Sequence, residues 1–206
     1  LATHMTAFQS LNILNEKGAE LMGKPAGNYV TIEFTDKSMY MDDKDTKKFE
    51  DKVIKEICDI ITDMTNSGRK TDTEPAAEDN KGEKKTETYM AVGLGNRFAT
   101  PDALGPVVME KIMGCEFGSE ILGNNKVVCA ITPGVMAQTG MDTYEVLCGL
   151  VENIKPDFIL AIDALASRSI GRLCRTIQIT DTGISPGAGI GNNRHKINEE
   201  TMNVPV

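Results

Sequence analysis

The chain has 206 residues, with 22 Lys and Arg against 30 Asp and Glu, a formal net charge of −8 and 40% hydrophobic residues. This balance suits a globular protein of one generous domain or two small ones, and it excludes a disordered tail, a collagen and a coiled coil. No stretch approaches the roughly 20 apolar residues of a membrane span. The acidic charge argues against nucleic acid as a partner, because phosphate binding draws on clustered Lys and Arg.

The five cysteines, Cys58, Cys115, Cys129, Cys148 and Cys174, form no C-x-x-C pair. They read as reduced, buried thiols of a cytosolic protein. Neither His4 nor His195 has a second Cys or His at zinc spacing. The start Leu1-Ala2-Thr3-His4-Met5 lacks the features of a signal peptide, and an apolar run begins at Asn203-Val204-Pro205-Val206, so a fragment of a longer protein is expected.

In chain order, Lys24-Pro25-Ala26-Gly27-Asn28 reads as a turn and Tyr29 to Phe34 as a strand. From Asp45, Phe49, Val53, Ile54, Ile57, Ile60, Ile61 and Met64 recur at helical intervals, which predicts an amphipathic helix. Ser67 to Thr88 has only Ala76 and Ala77 as apolar residues and reads as a mobile charged loop. Four near-continuous apolar or β-branched runs follow: Tyr89 to Leu94, Val127 to Thr132, Phe158 to Ile162 and Thr176 to Thr180. Such runs suit strands covered on both faces.

Between the first two runs, Thr100 is expected to cap a helix with Pro101 in its first position, followed by Leu104, Val107, Val108 and Ile112. Between the next two, Asp142 is the N-cap, Glu145 its capping-box partner, and Val146, Leu147, Leu150, Val151 and Ile154 the apolar face. Lys155-Pro156-Asp157 ends that helix. The alternation predicts an α/β fold in one domain over residues 1–206, with a mostly parallel sheet between helices. The site then belongs in the crevice outside the carboxyl ends of the strands.

Asp102, Asp163 and Asp181 fall in the segments after the first, third and fourth of these strands, so all three are expected at one edge. A dinucleotide reading fails, because Phe98 stands where Gly93-x-Gly95 would need its third glycine, and no Walker lysine pattern occurs. The turn from Gly187 through Gly189 to Asn192 reads as a plain loop or an anion-binding nest.

Asp163 has apolar sequence on both sides, and burial disfavours its charged form. It is either a cap satisfied by backbone N–H groups or a catalytic acid held protonated. Asp102, behind Pro101, is either a helix-dipole residue or the matching base. Two carboxyls with opposed proton affinities divide the work of acid and base, enough to activate water against a peptide carbonyl. A Ser-His or Cys-His nucleophile would need His4 or His195, and no nucleophile elbow marks a serine. Arg168, Arg172 and Arg175 read as a basic edge on a helix after Asp163, paired with carboxylates or orienting an acidic substrate.

Several blocks together resemble the germination proteases of spore-forming Firmicutes. They are Gly23-Lys24-Pro25-Ala26-Gly27-Asn28-Tyr29-Val30-Thr31-Ile32-Glu33, Gly93-Leu94-Gly95-Asn96 with Thr100 to Pro106, Thr132 to Met136, Ile162 to Ser169, and Ile179 to Gly187. The resemblance runs from about residue 10 to the end, apart from the charged loop. It implies an atypical aspartic endopeptidase of the spore-core cytoplasm, made as a zymogen, trimmed at its N-terminus and active as a homotetramer on small acid-soluble spore proteins. It puts the catalytic pair on Asp102 and Asp163; Asn96, Arg168, Asp181, Gly187 and Gly189 are expected to bind substrate or support the pair.

A more distant resemblance, to hydrogenase-maturation endopeptidases, implies a three-layer α/β/α sandwich. No cofactor is expected on the aspartic reading. The rival readings are a metal-dependent peptidase with a divalent cation on Asp102, Asp163 or Asp181, and a non-catalytic anion-binding spore protein. The charged loop is longer than the resemblance leads one to expect, and neither a pro-segment nor the family's later C-terminal part is evident.

Overall fold

The four apolar runs between Tyr89 and Thr180 all form strands in a computed structural model of the protein, which describes residues 5–34, 43–68, 87–113, 126–167, 169–187 and 195–206. Its elements in chain order are β1 Met5–Ile13, α1 Glu16–Met22, β2 Gly27–Phe34, α2 Asp43–Gly68, β3 Glu87–Gly93, α3 Leu104–Met113, β4 Lys126–Ile131, α4 Met136–Thr139, α5 Thr143–Ile154, β5 Phe158–Ile162, β6 Thr176–Thr180 and α6 Glu199–Met202. Short 3-10 turns lie at Thr100–Asp102 and Ile170–Arg172. Backbone contacts divide the chain into two units, Leu1–Asp72 with Leu165–Thr182 and Thr73–Ala164 with Gly183–Val206. Most of the expected charged loop, 69–86, lies outside the described residues.

The first unit is built on an antiparallel sheet of order β1-β2-β6. Ile57, Ile60 and Met64 of α2 pack against Val30, Ile32, Ile177 and Ile179, so the helical stripe read from the sequence covers this sheet. β1 and α1 were not expected. α1 buries no residue and is held by its ends: the Asn15 side chain accepts from the Gly18 N–H, and Gly23 closes the last turn in a left-handed conformation.

The fourth expected strand of the parallel sheet is a correction, because β6 pairs antiparallel with β2 instead. Its exposed middle residue, Gln178, fits a sheet with one open face. The helix expected after Asp163 is also absent from the described residues: 163–167 are irregular and only the 3-10 turn Ile170–Arg172 follows. Arg172 there pairs with Glu33, in keeping with the salt-bridge reading.

The second unit holds a parallel sheet of order β4-β3-β5. β3 is central, and Met90 and Val92 on one of its faces share a core with Leu147, Ile159, Ile197 and Met202. Tyr144, Cys148, Leu150, Val151 and Ile154 of α5 pack around that core. Ala91 and Gly93 point the other way by the alternation of a strand, and there Gly93 meets Met109 of α3. Helices therefore cover both faces of this sheet, and the α/β expectation holds. Burying side chains such as Leu147 and Ile159, both 0% exposed, contributes about 1.5–3 kcal/mol each.

Two helix starts differ in detail from expectation. Asp142 caps α5 by accepting from the Tyr144 N–H at 2.8 Å, so its bond goes to the second residue of the helix rather than the third. Thr100 caps nothing; it lies inside the 3-10 turn, and α3 begins at Leu104. Leu104 is exposed, while Gly105, Pro106 and Met109 form the buried side of α3. The thiols also depart from expectation: Cys58 and Cys174 are exposed, Cys129 and Cys148 half-buried, and all four are free. Cys115 lies outside the described residues.

Candidate active site

The carboxyl ends of β3 and β5 meet directly, because the Leu94 N–H donates to the Ile162 carbonyl at 2.8 Å. Each of these residues opens a segment that carries an aspartate, Asp102 after β3 and Asp163 after β5. Over the junction sits the start of α3. A Cβ at Gly105 would stand 2.4 Å from the Leu94 carbonyl oxygen and 2.5 Å from that of Ile162, so only glycine lets the helix come this close. The approach brings the adjoining Asp102 turn down onto the two strand ends.

The loop from Gly95 to Asp102 is a run of tight turns, with the Ala99 N–H donating to the Asn96 carbonyl and the Asp102 N–H to the Ala99 carbonyl. Gly95 has φ of +112°, a region that side chains disfavour, and a Cβ there would be 2.0 Å from the Asp102 carbonyl oxygen. Folded back in this way, Asp102 accepts from the Asn96 N–H through Oδ2 at 2.8 Å. The Asn96 side chain in turn accepts through Oδ1 from the Phe98 N–H at 2.9 Å and from Gln138 Nε2 at 2.8 Å. Gln138, on α4, is a site residue that sequence reasoning missed. The bond joins positions 42 apart, and nothing local in the sequence marks it.

Asp163 is half-buried, and its Oδ1 accepts from the Ala164 N–H at 2.8 Å. Since no helix follows among the described residues, this bond is a local turn contact and the helix-cap reading falls. Burial raises the Asp163 pKa above the ordinary carboxylate value; the Ala164 bond works against that rise and the charge of Asp102 adds to it. Asp102 and Asp163 belong to one unit of the chain and follow strands that pair directly with each other.

Asp181 is placed differently, and the expectation of three aspartates at one edge is corrected. It follows β6 in the other unit. Its Oδ1 accepts from the Asn28 N–H at 2.7 Å and its Oδ2 from Asn28 Nδ2 at 2.6 Å, which ties β2 to β6. Gly187 lies in a turn of the second unit with φ of +75°. Arg168 and Gly189 lie outside the described residues. Among the described residues, no group of three or more His, Cys, Asp or Glu side chains is placed to hold a metal ion. No helix among the described residues is long and apolar enough to cross a membrane.

A parallel sheet between helices, with two carboxyl groups in the segments that follow neighbouring strands, defines an α/β protein with a candidate acid–base pair. The chain belongs to the germination protease family, whose sequence profile matches residues 4–206. It is similar to the germination protease of Clostridium tetani, 42% identical over 201 residues, which are 95% of this chain and 56% of that protein. The Clostridium perfringens germination protease is 40% identical over 202 residues, 96% of this chain and 56% of the relative. That of Bacillus cytotoxicus is 39% identical over 198 residues, 94% and 49% of the two chains. The chain thus spans about half the length of the curated relatives it matches.

Proposed function

We propose that this chain carries the catalytic pair of an endopeptidase that begins the breakdown of small acid-soluble spore proteins during germination, with Asp102 as general base and Asp163 as general acid. The observation that carries the reading is the placement of these two carboxyls in the segments that follow directly paired parallel strands, in a protein of the germination protease family. Asp102 Oδ2 accepts from the backbone, which holds the group in place and leaves Oδ1 to take a proton from water. The resulting hydroxide oxygen attacks the scissile carbonyl carbon. Asp163, which burial and its neighbour keep protonated to higher pH, donates its proton to the leaving nitrogen as the C–N bond breaks.

This chemistry uses carboxyl groups alone and calls on no cofactor. The same reading takes the protein as a zymogen of the spore-core cytoplasm that works as a homotetramer and binds neither nucleic acid nor membrane directly. The acidic sequence, with 30 Asp and Glu against 22 Lys and Arg, agrees with a protein substrate rather than the DNA such substrates coat. The test is cleavage of a purified small acid-soluble spore protein by wild type, Asp102→Asn and Asp163→Asn. Turnover by wild type and a loss of about 10²–10⁴-fold in each variant supports the pair; undiminished turnover in both variants overturns it.

A further inference from the structure

Asn96, in the loop after β3, hydrogen-bonds both to the Asp102 carboxylate and to α4. Its backbone N–H holds Asp102 Oδ2, while its side-chain oxygen receives two donors, the Phe98 N–H and Gln138 Nε2. A backbone N–H can only donate, so the atom facing Phe98 must be the amide oxygen, and this fixes which way round the amide sits. Its nitrogen, with two N–H donors, then points away from both partners. A side chain that is only half-buried ordinarily turns freely; here two bonds to one oxygen fix the direction of the opposite group.

Peptide hydrolysis through a tetrahedral intermediate needs a donor aimed at the carbonyl oxygen as it gains charge. Such a donor works best when it is already oriented and needs no rearrangement at the moment of reaction. Neither carboxyl can serve, since Asp102 must accept a proton and Asp163 must deliver its own to nitrogen. We propose that Asn96 Nδ2 is the donor that polarises the scissile carbonyl and stabilises its oxyanion, and that Gln138 is a positioning residue acting through the Asn96 amide. The proposal rests on the aspartate-pair reading above. Bond making and breaking stay as in that mechanism; Asn96 adds a hydrogen bond that strengthens as the carbonyl oxygen becomes negative.

The test compares kcat and KM on a small acid-soluble spore protein for Asn96→Ala, Asn96→Asp, Gln138→Glu, Asp102→Asn and Asp163→Asn, all in the full chain. Asn96→Asp keeps an oxygen for the Phe98 and Gln138 donors but sets a charged oxygen in place of the outward N–H groups, whereas Asn96→Ala removes those groups without adding charge, so a loss of kcat shared by both variants reads the lost donation. Both Asn96 variants should lose about 10²–10³-fold in kcat with little change in KM, and Asn96→Asp should keep the wild-type melting temperature. Gln138→Glu presents an acceptor in place of a donor until it is protonated. Its activity relative to wild type should therefore recover toward acid pH, a shift in profile that a merely structural contact would not give.

Asn96→Asp with kcat within about twofold of wild type, or a loss confined to KM, overturns the proposal while inactive Asp102→Asn and Asp163→Asn leave the carboxyl pair standing. Active aspartate variants overturn the pair itself. A Gln138→Glu profile parallel to wild type at every pH removes Gln138 from the positioning role.

Discussion

Asp181 in one unit and the Asp102–Asp163 pair in the other are all short carboxylates that follow strands, yet their surroundings differ. Asp181 has both oxygens occupied by Asn28, one through the backbone and one through the side chain, so its hydrogen-bonding capacity goes into joining β2 to β6. Asp102 and Asp163 each accept one backbone bond through one oxygen, and the charge of Asp102 adds to the rise that burial gives the Asp163 pKa. A carboxylate with every strong position filled is a clamp. One with an oxygen to spare beside another acid has chemistry open to it. Sheet type follows the same division: the antiparallel sheet ties strands distant in sequence, while the parallel one gathers two strand ends, and the groups they carry, at a single edge.

The sharpest way to break this contrast is to neutralise the acids in turn. Asp102→Asn or Asp163→Asn should lower proteolytic turnover about 10²–10⁴-fold, the usual range for a lost acid or base, as read by rate assays on a spore-protein substrate. Turnover should also fall on both sides of a pH optimum. The alkaline limb follows ionisation of Asp163 and lies above the ordinary carboxylate range, because burial raises its pKa.

Next in size is the clamp itself. Asp181→Ala should destabilise the first unit by about 2–3 kcal/mol, since it removes charge-assisted bonds and strands the Asn28 donors. Hydrogen exchange at the paired residues Val30 and Ile179 should accelerate accordingly. Gly105→Ala comes third: its methyl would press on two backbone carbonyls at 2.4 and 2.5 Å. A loss of about 1–3 kcal/mol is expected from overpacking, visible in a denaturant melt.

The smallest effect has the opposite sign. Asp163 binds its proton more tightly folded than unfolded. Its stabilising contribution is therefore fully present below the unfolded pKa of about 3.9 and is lost as pH rises through the higher folded value. Asp163→Asn should raise Tm at neutral pH, and the gain should shrink toward pH 3. A variant that is inactive yet more heat-stable would mark Asp163 as a group whose placement serves reaction rather than folding.

Much of the parallel unit was legible because its signals are local. The runs at β3, β4 and β5 are apolar enough to declare buried strands, and the apolar flanks of Asp163 already pointed to a perturbed acid. The antiparallel unit was harder to read. β1, MTAFQSLNI, mixes apolar and polar residues in the manner of an edge strand with one partner, and α1 depends on end caps without any buried face. The run TIQIT declares a strand but not its partner, so β6 was assigned to the wrong sheet. Register and pairing arise from contacts across the fold, as does the Gln138–Asn96 bond. The start of α3 was misread for a similar reason: Pro101 opens a 3-10 turn, and the close packing of Gly105 on two strand ends decides where the α-helix begins.

The pairing of Val30 with Ile179 bears on how the polypeptide matures during translation. At about 5–20 residues per second, the ribosome needs roughly 7–30 s after releasing β2 to deliver β6. Until then β1 and β2 have only α2 to cover them, and one edge of β2 awaits its mate. The nascent protein thus passes through an interval of exposed, unpaired backbone, when chaperones have most to offer and premature termination would leave the first sheet open.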